Sequence, residues 1–273
     1  MKITSTSPFS RRPKAPGGFR VAEKVLLLLS RHPTASNYRT GAEKHDFPCA
    51  LDLLCRVFPG FLDSIAGKRV LDFGCGDGYQ TVALVQSGAA YALGLDTSNM
   101  TLSRARALAA SFHLGSRIDF AERLEPRLQK TFDLVISQNS FEHFGDPVRV
   151  LEEMKGALKN TGAIFLTFGP PWFAPYGSHM HFFTKVPWVN ILFSEKTVMS
   201  VRRHFRNDGA TRYEEVEGGL NRMTVAKFER IISASGLKTA EKNYECVKGL
   251  KFLGQIPWIR ELFVNRVSCV LRP

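Results

Sequence analysis

"VLDFGCGDGYQ", residues Val70 to Gln80, decides how the chain is read. A short apolar run ends in three glycines at alternate positions, Gly74, Gly76 and Gly78, with Asp72 and Asp77 beside them. A strand that turns abruptly into a helix needs backbone angles that side chains disfavour, and glycine also lets a ligand approach the backbone closely. The spacing is GxGxG, one residue short of the GxGxxG fingerprint of dinucleotide sites. About twenty residues further on, a second short strand ends at Asp96, where a carboxylate can accept from two ribose hydroxyls. Asp72 and Asp77 would repel a pyrophosphate and attract a cationic sulfonium carrying an amino-acid tail.

Outward from that turn the rhythm is strand, helix, strand. Strands are expected at 69–74, 91–96, 117–122, 132–138 and 163–169, and helices at 78–87, 98–112 and 147–158, the last closed by "KNTG" before strand five. Such spacing builds right-handed βαβ units around a parallel sheet, whose ligands sit beyond the carboxyl ends of the strands. The alternation breaks at Pro170, and residues 170–220 are rich in aromatics, proline and basic residues. Order returns at 221–238, where Thr224 can cap a helix that Gly236 ends, and strands near 239–246 and 266–271 finish the chain. Residues 170–220 therefore read as an insertion over the carboxyl end of the sheet, a candidate lid. Upstream, helical patterns occupy 21–31 and 49–65, behind a loosely packed basic arm at 1–20 that holds Pro8, Pro13, Pro16 and Gly17-Gly18.

On these residues the sequence resembles the class I S-adenosylmethionine-dependent methyltransferases. "VLDFGCGDG" resembles the family's first motif and "GLDTS" its second, and the run from Phe132 to Phe168 resembles the fourth strand, following helix and fifth strand of its small-molecule branch. The resemblance implies an α/β, doubly wound Rossmann-like sheet, mostly parallel with an antiparallel final strand. The organisation it implies is a basic arm (1–20), an N-terminal helical cap (21–65) and a methyltransferase domain (66–273) with a lid insertion after strand five. S-adenosylmethionine would be the cofactor and S-adenosylhomocysteine the product. Gly74, Gly76 and Gly78 would lie under the methionine and ribose, Asp72 would anchor the amino end, Asp96 the ribose, and Thr97 would border the adenine. Glu122 stands near the family's adenine-binding acid, although "DFAERLEP" lacks the usual Gly-Asp pair. Gln138, closing strand four, would face the methyl-donating end.

Methyl transfer to a hydroxyl needs a base to take the proton. "GPPWFAPYGSHMHFFTKVPW" (169–188) offers His179 and His181, which an extended segment would place on one side, and "FEHF" (141–144) offers His143 beside Glu142. The same histidines could be half a metal site or a polar rim, and the lack of a nearby carboxylate speaks against metal. Trp172, Phe173, Tyr176, Phe182, Phe183 and Trp188 supply stacking surface or an insertion's own small core. "GPPW" resembles the Pro-Pro-aromatic motif of amino-methylating nucleic-acid enzymes, but follows strand five instead of strand four.

The formal charge is +12, concentrated in Met1–Lys24 and in the cluster Lys196, Arg202, Arg203, His204 and Arg206. Such patches suit an anionic small molecule, a membrane surface or nucleic acid. The five cysteines show no CxxC spacing, pointing to a reducing, cytoplasmic setting, and "VLLLLS" (25–30) is too short to span a bilayer. The reading is O-methylation of a small-molecule, glycan or lipid-linked acceptor, with peripheral membrane contact open. Its rivals are an RNA methyltransferase and a cofactor-binding partner protein without catalysis; an NAD oxidoreductase fits worst.

Overall fold

In the computed structural model, residues 20–30, 50–216, 218–247 and 250–273 are described. The basic arm to residue 19, residues 31–49 of the expected cap, and Cys49 lie outside them. The sheet has seven strands: β1 (Arg69–Phe73), β2 (Tyr91–Leu95), β3 (Ile118–Ala121), β4 (Phe132–Gln138), β5 (Leu158–Phe168), β6 (Lys238–Cys246) and β7 (Val264–Arg272). Their order is β3-β2-β1-β4-β5-β7-β6. Among the described strands, β7 alone runs against its neighbours, antiparallel to both β5 and β6. The chain reverses direction through the sheet between β1 and β4, so a switch point lies beyond the carboxyl ends of those two strands, where open α/β sheets bind their ligands.

Alternating side chains feed two apolar layers. Val70, Ile136 and Phe165 face one side, which also holds helices α2 (Asp52–Val57), α3 (Phe61–Ile65), α4 (Tyr79–Gln86) and α5 (Asn99–Ser111). Leu71, Val135 and Ile164 face the other, covered by α6 (Pro147–Ala157) and α9 (Val225–Ala234). The Thr224 hydroxyl caps α9 by accepting from the Lys227 amide, and Gly236 takes the left-handed conformation that stops it.

A third core belongs to the insertion. Between β5 and α9 the chain forms a single turn around Met180, then α7 (Val189–Leu192) and α8 (Glu195–Arg202), and buries Met180, Phe183, Val198 and Tyr213 among themselves. Helix α1 (Val21–Leu29) adds Leu26 to this cluster, and Ser30 makes an isolated antiparallel bridge with Thr184. The helical stretch 21–65 is thus divided: α1 packs on the insertion, whereas Leu54, Phe58 and Phe61 pack under the sheet.

Two local expectations fail. The pattern over 49–65 is broken into α2 and α3 because Pro59 lacks an amide hydrogen and Gly60 adopts φ +75°. "KNTG" (159–162) is no loop: β5 starts at Leu158, opposite Phe132, and the register slips so that Leu134 next meets Ala163. The Lys159 ammonium bonds Asp133 (2.7 Å) across the slip.

Candidate active site

The turn after β1 stands at the switch point. Asp72 is 1% exposed, on the face of β1 that meets α4, and its two oxygens accept from Gln80 Nε2 and Thr81 Oγ1, each at 2.7 Å. Burial pushes its carboxyl up to about 6 against the pull of those bonds. Asp72 therefore ties the strand to the first turn of the next helix.

The three glycines differ. All have positive φ (+84°, +52° and +81°). A Cβ on Gly74 would sit 2.6 Å from Ser140 Oγ, and one on Gly78 would sit 2.7 Å from Ala105 Cβ, so both are packed against protein. A Cβ on Gly76 would meet nothing within 4 Å. Gly76 is the glycine whose open side a ligand can reach.

Asp96, just past β2, faces the same turn. Its Oδ2 accepts from the Gly76 amide (3.0 Å), and its Oδ1 from the Ser98 amide (2.9 Å) and the Thr101 hydroxyl (3.2 Å). A carboxylate offers about four lone-pair sites, so Oδ2 retains one for a hydroxyl donor. Ser98, next but one, caps α5 from its hydroxyl (3.4 Å), while Thr97 is exposed. Glu122 is exposed just beyond β3. Gln138 closes β4 with its side-chain Oε1 shielded and without a hydrogen-bond partner. An open glycine, a carboxylate with spare acceptor capacity and an orphaned amide oxygen fit a nucleoside bearing hydroxyl and ammonium donors. The charge argument against a pyrophosphate is weaker than the residue count implied: Asp77 is paired with Arg104 (2.8 Å) and Asp72 lies beneath the surface.

The loop after β4 joins this turn to the insertion. Ser140 Oγ bonds the Gly74 carbonyl (3.3 Å), and Phe144 packs edge-on against Phe73. Asn221 holds the loop from the far side, donating from Nδ2 to the Phe141 and Phe144 carbonyls, both at 2.8 Å. Sequence reasoning missed Ser140 and Asn221; each acts through backbone atoms, which leave no mark on residue type. Glu142 is buried, accepts from the Gly169 amide (3.1 Å), and has its carboxyl raised by desolvation.

His143 and His179 meet here, with ring centroids 5.3 Å apart and nearly perpendicular. His143 Nδ1 lies 2.7 Å from the Gly219 carbonyl, so that nitrogen carries a hydrogen. His179 takes φ +56°; the Pro170 carbonyl accepts from its ring, and its Nε2 is shielded without a partner. Desolvation first, then His143, bring its imidazole down to about 4. His181 does not share that side. The segment is a tight turn, not extended, and His181 is exposed with its ring against Tyr176, 4.8 Å away. The described residues contain no group of three or more metal-ligating side chains.

The other expected surfaces are largely internal. Phe183 stacks on Phe205 (5.1 Å) and Trp172 stands edge-on to Tyr213 (4.8 Å); Phe173 and Tyr176 retain partial exposure. Arg202 is 1% exposed and bonded through both terminal nitrogens to Asp208, so it lends the basic cluster no surface charge.

A glycine turn at the switch point, with an acid closing the second strand, is an arrangement found in the class I S-adenosylmethionine-dependent methyltransferases, and S-adenosylmethionine is that class's cofactor. Residues 71–166 of this chain match the methyltransferase domain model. The chain is 30% identical over 109 residues to a ubiquinone biosynthesis O-methyltransferase of Neisseria meningitidis, covering 38% of this chain and 44% of that protein. It is 33% identical over 117 residues to a tRNA U34 carboxymethyltransferase of Idiomarina loihiensis, covering 41% and 35%. The chain thus spans less than half the length of these curated relatives. Among solved structures, an S-adenosylmethionine-dependent methyltransferase from Mesorhizobium loti superposes with a TM-score of 0.53 at 19% identity, covering 82% of this chain and 98% of that one. The [4+2]-cyclase SpnF superposes equally well, with a TM-score of 0.54 at 14% identity, covering 89% and 86%. The fold alone therefore does not choose the reaction.

Proposed function

We propose that the chain methylates a hydroxyl of a small-molecule acceptor bound between the glycine turn and the insertion, in a reducing, cytoplasmic setting. The observation that carries this is the unpartnered Nε2 of His179, enclosed beside His143 at the mouth of β4 and β5. In this reading Gly76, Asp96 and Gln138 hold the cofactor, Asp72 and Ser140 keep the turn in place, and Thr97 and Glu122 border the adenine. S-adenosylmethionine supplies an electrophilic methyl on a sulfonium. His179 enters neutral, because burial disfavours its cation, and its lone pair is free for the acceptor's proton. As it does so positive charge passes to the imidazole. The insertion supplies alignment and exclusion of water, the main demands of displacement at an activated carbon.

An acceptor hydroxyl agrees with the O-methyltransferase relatives, and the free thiols of Cys55, Cys75, Cys246 and Cys269 agree with the setting. The tRNA reading draws on the second relative and on net charge, of which Arg202 is spent internally. The first experiment is calorimetric titration with S-adenosylmethionine and S-adenosylhomocysteine on wild type and Asp96→Asn. Saturable binding weakened about tenfold by the substitution, or about 1.4 kcal/mol, is expected. A folded wild type that binds neither compound refutes the proposal.

A further inference from the structure

Helix α1 carries apolar residues on the side turned away from the protein. Glu23, Leu26 and Ser30 are buried against the insertion, whereas Val21 (79% exposed), Val25 (42%), Leu28 (73%) and Leu29 (52%) are open. At 3.6 residues per turn these four fall within an arc of about 100°, opposite the buried three. A surface helix of a water-facing protein shows the reverse arrangement, so this stripe marks a contact. Its nine residues are far too few to cross a bilayer, and no helix among the described residues is long and apolar enough to do so.

The exposed charges of α1 and its N-cap have one sign. Arg20 and Lys24 are exposed on its flank. The helix's single acid, Glu23, is turned inward, where its Oε2 accepts from the Arg20 amide at 2.9 Å. The sequence before the helix adds Lys2, Arg11, Arg12 and Lys14 and no acid. On the packed neighbour α8, Arg203 follows the helix end and Lys196 its start, both exposed. An apolar stripe bordered by lysine and arginine, with its acid withdrawn, matches the boundary between anionic headgroups and acyl chains.

We infer that α1 docks the protein on an anionic lipid surface, with Val21, Val25, Leu28 and Leu29 entering the headgroup–acyl boundary and Arg20 and Lys24 pairing with headgroups. The buried face of the helix holds the insertion core through Leu26, and Ser30 joins it to Thr184 by the backbone bridge. Docking thus presents the side of the molecule that contains the insertion to the membrane. This goes beyond the acceptor chemistry and holds whichever hydroxyl is methylated.

The test is flotation of the full chain with vesicles of phosphatidylcholine alone or with about one-third phosphatidylglycerol, on wild type and Val25→Glu/Leu28→Glu. Both replaced side chains are exposed, and cofactor titration without lipid reports that the fold is intact, separately from the membrane result. Wild type should float with the anionic vesicles, lose that binding at high salt, and bind at least about tenfold more tightly than the double variant. Failure of wild type to bind, or equal binding by the variant, overturns the inference. So does a wild-type dimer in light scattering that the variant converts to monomer, which would make the stripe a subunit interface.

Discussion

The three glycines of the turn should respond to alanine in different ways, and the structure sets how. Gly76→Ala puts a methyl into open space at φ +52°, within the left-handed region, so its cost is the backbone preference alone, about 1 kcal/mol. Gly74→Ala meets that cost at φ +84° and also drives its methyl to 2.6 Å from Ser140 Oγ and 2.7 Å from Ser140 Cβ. Overpacking of that kind adds about 2 kcal/mol, giving about 3 kcal/mol in all. Since the clash lies with one side chain, Ser140→Gly in the Gly74→Ala background should restore about 2 kcal/mol, a coupling that a double-mutant cycle in urea reads directly. Cofactor binding should run the other way. The Gly76 methyl occupies the side a ligand approaches, so Gly76→Ala should weaken S-adenosylhomocysteine by about tenfold or more although its fold is the better preserved. The reasoning is refuted if Gly76→Ala destabilises as much as Gly74→Ala, or if the cycle shows no coupling between residues 74 and 140.

Further outcomes concern the ionisable groups. The His179 imidazole should titrate near pH 4 by NMR; its folded pKa is depressed, so stability tied to it is full above about 6.5 and falls as pH drops towards 4. His179→Gln should lower methyl transfer to a hydroxyl acceptor at least about 100-fold with cofactor affinity unchanged, whereas His181→Gln should leave the rate near that of wild type. Asp72 is the opposite case: its folded pKa is raised to about 6, so its contribution is full below about 3.8 and lost as pH rises through 6. Asp72→Asn should therefore match wild type near pH 3.5 and exceed it in urea stability above pH 6, by up to about 3 kcal/mol.

The sheet could be read from residue order because its information is local. Five strand-length apolar runs separated by amphipathic stretches leave few topologies, and Thr224 and Gly236 mark both ends of α9 within thirteen residues. What residue order concealed depends on partners distant in sequence. Asp77 reads as free negative charge until Arg104 meets it, and Arg202 reads as surface charge until Asp208 takes it inside. His179 and His181 looked equivalent because alternation means one side only in an extended segment; the tight turn around Met180 separates them and carries His179 to His143. The positions of Asp96 and Gln138 at strand ends were legible because strand ends are. The anchoring of the intervening loop by Ser140 and Asn221 was not, because it runs through carbonyl oxygens common to every residue.

The place of β7 has a consequence for how the chain is made. Of the seven strands described, β7 comes last in the sequence, yet it is not at the border of the sheet but between β5 and β6, hydrogen-bonded to both. Until residues 264–272 emerge, β5 ends the growing sheet with an unpaired edge, and β6 has no strand to join. The nascent protein must hold two open edges until β7 has emerged, an interval in which strands can pair with the wrong chain. Pairing of β7 is then a single insertion that closes both edges at once, so agents that slow the codons of β7 or crowd the emerging strand should lower the yield of folded protein without altering the stability of what does fold.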